Sequence, residues 1–213
     1  MMKKNIVLTE EKIRSLIRES IHRILNESNG TMTVFHGSPE QFEEFSMSDS
    51  KWKNGNVLGK GIYTTTNPQE AKGYGRQRGQ VGNGFVYELS IPKYDGKNYI
   101  SWNSPLSLSQ AMPIIKKLMP YLAKRKELKT YIRDVYDEIR SNGFTYESLL
   151  NSLAYTFGMK NTMFLNHIMR GLGYYGITHQ SRKGTWFIVF YPQDVQMIGK
   201  HTVDENGNLL INK

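Results

Sequence analysis

The stretch TMTVFHGS at residues 31–38, followed by GKGIYTTTNPQEAKGY at 59–74, decides how the chain folds. The first run predicts a short strand that ends in a turn, and GIYTTT predicts a second strand rich in β-branched residues. The Asn-Pro pair that follows predicts a short helix, because proline fits the first helical turn. Two strand ends and one helix thereby bring His36, Tyr63 and Tyr74 towards a single cleft.

The order of the predicted elements along the rest of the chain is strands, then helices, then strands. A strong strand, FVYELSIP, ends at Pro92, and apolar residues then recur at three-to-four spacing over about residues 105–172. Pro113 and Pro120 are expected to break or start helices within that stretch. The motifs YGITHQ and TWFIVFYP and a hairpin around Asn206 return the chain to β-structure. This order predicts an α+β domain with a helical insertion rather than alternating βαβ units.

A separate amphipathic helix is predicted ahead of this domain, at residues 9–27. Its isoleucines and leucines form one apolar stripe at helical spacing, and Thr9 can cap its start. We therefore divide the chain into a helical tether at 1–30 and a domain at 31–213. The stripe can pack on its own domain, which is the commonest outcome, or it can mediate self-association or docking to a partner.

The composition excludes several classes of protein. The chain has 213 residues, enough for one buried core, and no cysteine, so disulfides and thiolate metal sites are excluded. Its apolar runs are too short to span a membrane, and MMKKNIVLTEEK lacks the apolar core of a secretory signal, so a cytoplasmic protein is expected. The histidines show no paired ligand spacing, so no metal is expected. A net charge of +9 fits either an anionic partner or a solvated basic surface.

The histidine, tyrosines and glycines of the first stretch could form a receptor for a flat aromatic amide. Gly37 and Gly61 allow a backbone to approach a ligand closely, and two phenol rings could enclose a planar ring such as nicotinamide. A histidine at a strand end could hold a sugar hydroxyl. The spacing alone nevertheless favours the ordinary interpretation, in which the tyrosines belong to the core and the histidine to a turn.

These motifs resemble the NAD site of ADP-ribosyltransferases of the diphtheria-toxin and poly-ADP-ribose-polymerase type. They are most similar to the ADP-ribosyltransferase domains of bacterial and phage polyvalent proteins. YELSIPKYDGKNYISWNSPLS and GMKNTMFLNHIMRGLGYYGITHQ, leading to FIVFYP, extend the resemblance over about residues 32–200. The resemblance implies a split β-sandwich core that carries the helical insertion.

The resemblance also implies the chemistry and the roles of the site residues. NAD would be the donor substrate, and ADP-ribose would pass to a macromolecular acceptor, a protein rather than a nucleic acid, with release of nicotinamide. His36 would bond the adenosine-side ribose, and Gly37, assisted by Ser38, would pair its backbone with the carboxamide. Tyr63 and Tyr74 would stack on either side of the nicotinamide ring.

Two loops would complete the site that the resemblance implies. The loop at 46–58 would cover the donor and place Lys51 or Lys53 near the diphosphate. The turn at 180–186 would face the acceptor.

The sequence departs from the family pattern at the position of the usual glutamate. That glutamate commonly stands just before the apolar run of the last strand, where this chain has Trp186. Gln180 could bond a ribose hydroxyl but carries no charge, and Asp194 is expected outside the cleft. A missing carboxylate favours mono-transfer, NAD hydrolysis or no turnover. Two alternatives therefore stay open: a degenerate module that binds NAD, ADP-ribose or nucleic acid, and a structural protein of a phage or mobile element.

Overall fold

The computed structural model describes five segments of the chain, at residues 30–46, 58–75, 84–158, 163–204 and 209–210. The predicted helix at 9–27 lies outside these segments, as do Lys51 and Lys53 of the predicted covering loop. Their predicted roles stay predictions.

Within the described residues the chain forms eight strands, five α-helices and one short 3-10 helix at Pro192–Asp194. The strands are β1 Thr31–Ser38, β2 Ile62–Thr65, β3 Gly84–Pro92, β4 Tyr99–Ser101, β5 Gly176–Gln180, β6 Thr185–Val189, β7 Gln196–Val203 and β8 Leu209–Leu210. The helices are α1 Pro68–Gly75, α2 Leu108–Leu122, α3 Leu128–Arg140, α4 Tyr146–Tyr155 and α5 Met163–Gly171. None of these helices is both long enough and apolar enough to cross a membrane.

The eight strands form one mixed sheet in the order β4-β5-β6-β2-β1-β3-β7-β8. The β4–β5 pair is parallel, and the other neighbouring strands are antiparallel. The pairing of β7 with β8 confirms the predicted terminal hairpin. Helices and strands in this arrangement confirm the predicted α+β class.

The sheet is split between β1 and β2. These strands pair at a single position, Phe35 with Thr65, whereas β1 pairs with β3 along its whole length. The sheet therefore consists of two four-stranded halves that diverge on either side of this pair. Buried side chains from both halves nevertheless meet in one core cluster, made of Val34, Ile62, Tyr87, Leu89, Ile91, Tyr99, Phe187 and Val189.

The four helices α2 to α5 lie between β4 and β5 in the chain. They pack on the half of the sheet that β4, β5, β6 and β2 form. Their apolar faces share a core with Ile100, Ile177 and Ile188 of β4, β5 and β6. The expectation that prolines interrupt this region is wrong, because Pro113 and Pro120 lie inside the continuous helix α2. The burial of one apolar face of α2 stabilises the helix more than two lost backbone hydrogen bonds destabilise it.

Candidate active site

The divergence of β1 and β2 creates a notch between the two halves of the sheet. Beyond the pair of Phe35 and Thr65, residues 36–38 pair with β3 and residues 62–64 pair with β6. Within the described residues, no further residue pair joins the facing edges of β1 and β2. Backbone groups at such an edge can bond a ligand, because no neighbouring strand occupies them.

His36 lies across this notch in a fixed orientation. Its Nδ1 donates a hydrogen bond to the backbone carbonyl of Tyr63 over 2.7 Å. Phe42 and Phe45 contact the imidazole edge to face, with ring centroids 5.9 and 5.2 Å away. A neutral imidazole that donates from Nδ1 has its lone pair on Nε2, so His36 offers a hydrogen-bond acceptor to a ligand in the notch.

The neutral form of His36 is favoured by its surroundings. Burial lowers the pKa of the imidazole below its ordinary value of 6.5, and the bond to the Tyr63 carbonyl opposes this shift more weakly. The unfolded chain therefore takes up a proton at a higher pH than the folded chain does. The contribution of His36 to stability is present above pH 6.5 and is lost as the pH falls through the folded pKa.

The affinity for a ligand that bonds Nε2 should follow the same titration. With NAD as the probe, because the sequence resemblance implies it as the ligand, we expect the affinity to stay constant from about pH 8 down to the ordinary pKa of histidine and to decline only at lower pH. Calorimetric titration of NAD at a series of pH values measures this profile. His36→Gln, which cannot titrate, should remove the decline. A decline that begins near pH 7 in the unchanged protein would contradict a lowered pKa.

Tyr63 is held by its phenol oxygen, and its partly buried ring packs against the core of the helical insertion. The hydroxyl donates to the carbonyl of Gly59 over 2.7 Å and accepts from the backbone N–H of Leu58 over 2.9 Å. Asn166 fixes the same turn by donating from Nδ2 to the carbonyl of Lys60. Gly59 has a φ of 92°, a conformation that favours glycine. Burial raises the pKa of the phenol, so Tyr63 is neutral and serves as a surface rather than as a base.

Tyr63, Tyr74 and Trp186 form a three-ring cluster beside the notch. The centroid of Trp186 lies 6.4 Å from that of Tyr63 and 5.6 Å from that of Tyr74. Each tyrosine ring stands almost perpendicular to the indole, at 78° and 79°. Tyr74 is 54% exposed, so this side of the cluster is open to solvent. The indole N–H of Trp186 is buried and has no hydrogen-bond partner among the described residues.

The two glycines predicted to admit a ligand closely also allow close packing of the protein itself. A Cβ on Gly37 would overlap the carbonyl oxygen of Ala71 in α1, and a Cβ on Gly61 would lie 2.5 Å from a methyl group of Ile188. Gly37 therefore lets α1 pack on β1, and Gly61 lets β2 approach β6. Ser38 is buried, and its hydroxyl accepts from the backbone N–H of Glu40.

Two further residues singled out in the sequence lie away from the three-ring cluster. Gln180 is exposed and accepts from the hydroxyl of Thr185 over 2.8 Å. It follows His179, which lies directly opposite Trp186, so Gln180 faces the other side of the sheet. Asp194 forms an ion pair with Arg170 over 2.9 Å. Neither side chain contributes to the cluster.

Sequence reasoning missed residues that flank Trp186 on the neighbouring strands. Trp186 has two direct neighbours across the sheet. Thr65 of β2 lies opposite it on one side, and His179 of β5 lies opposite it on the other side. The hydroxyl of Thr65 donates to the carboxylate of Glu70 over 2.8 Å, and Nδ1 of His179 is buried without a partner among the described residues. The signal for Glu70 is its place four residues before Tyr74 in a predicted helix, because such residues share a helix face.

The described residues contain no group of three or more histidine and acidic side chains that could hold a metal ion. The notch and the three-ring cluster offer a ligand aromatic rings, hydrogen-bonding atoms and single charged side chains.

A split mixed sheet with His36 and Tyr63 at the split and Tyr74 on the helix that follows is the arrangement that the sequence resemblance implies for an ADP-ribosyltransferase fold. The family model described as ADP-ribosyltransferase in polyvalent proteins matches residues 27–208, and the chain belongs to this family. The resemblance seen in the sequence motifs is thereby confirmed. The family indicates ADP-ribosyltransferase activity in general, with NAD as the substrate that such enzymes use. A search of curated proteins gives no match.

Proposed function

We propose that this chain binds NAD in the notch between β1 and β2 and transfers ADP-ribose to a protein acceptor, with release of nicotinamide. The observation that carries the proposal is the hydrogen bond from His36 to the carbonyl of Tyr63. It holds the imidazole, whose ring contacts Phe42 and Phe45, one hydrogen bond away from the backbone of the strand that carries Tyr63. A sugar hydroxyl and a planar ring could therefore be bound at adjoining positions.

Each residue of the site has a distinct role in the proposed binding. His36 accepts a hydrogen bond from a ribose hydroxyl, and the unpaired edge of β1 at Gly37 bonds the carboxamide of nicotinamide. Tyr63 and Tyr74 stack on the nicotinamide ring, and Trp186, which contacts both tyrosine rings at steep angles, borders the bound ring. Aromatic contacts of this kind contribute about 0.5–1.5 kcal/mol each beyond the apolar area that they bury.

The proposed reaction breaks the bond between C1′ of the ribose and the pyridine nitrogen of nicotinamide. Both electrons of that bond pass to the nitrogen, which loses its positive charge, and the ribose gains oxocarbenium character. A nucleophilic atom of the acceptor then bonds to C1′ and releases its proton, where it carries one. The site accelerates this step by holding the donor in one conformation and by stabilising the developing charge.

The turn between β5 and β6 supports a protein as the acceptor. Arg182 and Lys183 are exposed at its tip, and the side chain of Asn67, at the start of α1, donates to the carbonyl of Lys183. The turn is therefore attached to the helix that carries Tyr74. Two cations beside the site would attract an acceptor with acidic groups on its surface.

A module that binds NAD without turnover is the second candidate function. The presence of Trp186 where the family commonly has a glutamate favours it. An indole can pack against nicotinamide but cannot neutralise a cationic ribose. Measurements of nicotinamide release separate this candidate from the first.

The proposal predicts that the unchanged protein binds NAD and releases nicotinamide, and that Tyr74→Ala weakens binding. Tyr74 is exposed, so its removal should spare the fold, and the loss of one stacking contact should raise the Kd for NAD about tenfold. Titration calorimetry and chromatography of nicotinamide measure the two effects.

Tyr155→Ala is the matched control for this experiment, because Tyr155 is 87% exposed at the end of α4. It should leave both measurements unchanged. Binding without release would favour the second candidate. A protein that neither binds NAD nor releases nicotinamide would overturn the proposed function.

A further inference from the structure

Glu70 in the first turn of α1 is held by hydroxyl groups from two other elements. Its Oε2 accepts from the hydroxyl of Thr65 on β2 over 2.8 Å. Its Oε1 accepts, over a longer 3.4 Å, from the hydroxyl of Ser181 in the turn between β5 and β6. The carboxylate is half-buried and has one fixed position between the helix and the sheet.

That position lies beside the three-ring cluster. Thr65 is directly opposite Trp186 in the β2–β6 ladder, and Tyr74, four residues after Glu70, contacts the indole from α1. Glu70 and Tyr74 therefore share a helix face. Burial and the negative charge of Glu70 both raise the pKa of Tyr74, in that order of size, as expected for neighbouring groups.

The negative charge of Glu70 is not neutralised by a cation within the described residues, where no lysine or arginine forms an ion pair with it. Two other carboxylates of the sheet region lie against basic side chains. Asp194 pairs with Arg170, and Glu88 lies 3.6 Å from His201. Glu70 is thus a carboxylate beside the cluster whose charge could act on a ligand.

We propose that Glu70 supplies the carboxylate that stabilises the cationic ribose, a role that the family commonly gives to the position of Trp186. This inference rests on the proposed function. A carboxylate has about four lone-pair sites, and Thr65 and Ser181 occupy two of them. The remaining sites can accept hydrogen bonds from ribose hydroxyls. The negative charge of the carboxylate offsets the positive charge that grows on C1′ as nicotinamide leaves.

A purely structural role for Glu70 predicts a different set of results. An acidic residue in the first helical turn stabilises the helix through the positive end of its dipole, and the bond to Thr65 adds to this. Glu70→Gln keeps an oxygen that can accept from Thr65 or Ser181 and removes the charge alone. It therefore separates an effect on the reaction from an effect on the fold.

The test compares Glu70→Gln with the unchanged protein in NAD binding, nicotinamide release and thermal unfolding. We expect kcat for nicotinamide release to fall about 100-fold, a typical loss for one electrostatic contact to a transition state, while the Kd for NAD changes less than about threefold. Glu147→Gln is the matched control, since Glu147 is half-buried in the first turn of α4. It should leave release unchanged.

Glu70→Ala with added formate gives a second readout, because a small carboxylate can occupy the space that the side chain vacates. Partial recovery of release is expected for Glu70→Ala and not for Tyr74→Ala. Release by Glu70→Gln within about threefold of the unchanged protein would overturn the role of Glu70 and leave the proposed function intact. An unchanged protein that binds NAD without releasing nicotinamide would overturn both the role of Glu70 and the proposed transfer, and would favour the module that binds NAD without turnover. Absence of NAD binding would overturn both.

Discussion

His36→Ala is expected to weaken NAD binding about 100-fold, and to reduce nicotinamide release at least as strongly. The substitution removes the acceptor Nε2 that would bond the ribose. It also removes the 2.7 Å bond to the Tyr63 carbonyl, which joins the two halves of the sheet across the notch. Titration calorimetry and the rate of nicotinamide release measure the two losses.

His167→Ala is the control for this experiment. His167 is exposed on α5, so its removal should change neither NAD binding nor thermal stability. His36→Gln should bind NAD with intermediate affinity, because an amide can still accept a hydrogen bond. NAD binding by His36→Ala within about threefold of the unchanged protein would mean that the ligand does not contact His36.

Gly37→Ala is expected to lower the free energy of unfolding by about 3 kcal/mol and to abolish NAD binding. The new methyl group would overlap the backbone of α1 at Ala71 and lie 2.8 Å from the backbone nitrogen of Gly75. Backbone atoms cannot rotate away as a side chain can, so the helix must shift as a unit. A shifted α1 would displace both Tyr74 and Glu70 from the cluster.

Gly73→Ala provides the control on the same helix. Gly73 is exposed, and among the described residues a Cβ built on it meets no atom within 4 Å outside its own stretch of helix. Because alanine favours a helix over glycine, this substitution should stabilise the protein by up to about 1 kcal/mol. Urea titration compares the two variants. Equal stability of Gly37→Ala and the unchanged protein would show that α1 does not pack tightly on β1.

The secondary structure around the site could be predicted because its signals are local. Asn67 and Pro68 start α1, and Pro92 ends β3, through conformational restrictions that act on adjacent residues. Pro113 and Pro120 show the limit of such signals. Both lie within α2, because the helix is stabilised by burial against the core that it shares with β4, β5 and β6. That burial involves residues far away in the chain, which local signals do not describe.

Three members of the site could be found from sequence motifs, and Glu70 could not be assigned a role in that way. His36, Tyr63 and Tyr74 stand in recognisable stretches, whereas the importance of Glu70 depends on Thr65 and Ser181. Ser181 is far from Glu70 in the chain. No spacing rule relates Glu70 to Ser181. A search for the usual carboxylate of the family therefore looks at position 186 in the sequence and not at α1.

The amino-acid sequence by itself determined the class of fold and the family, and it singled out the aromatic side chains proposed for the site. Local propensity and short motifs carry that information. The tertiary structure alone decided that β1 and β2 diverge after one pair, that Gly37 serves the packing of α1, and that Glu70 bonds Thr65 opposite Trp186. These features arise when distant segments come into contact, and the energies of such contacts depend on distances that the order of residues does not specify.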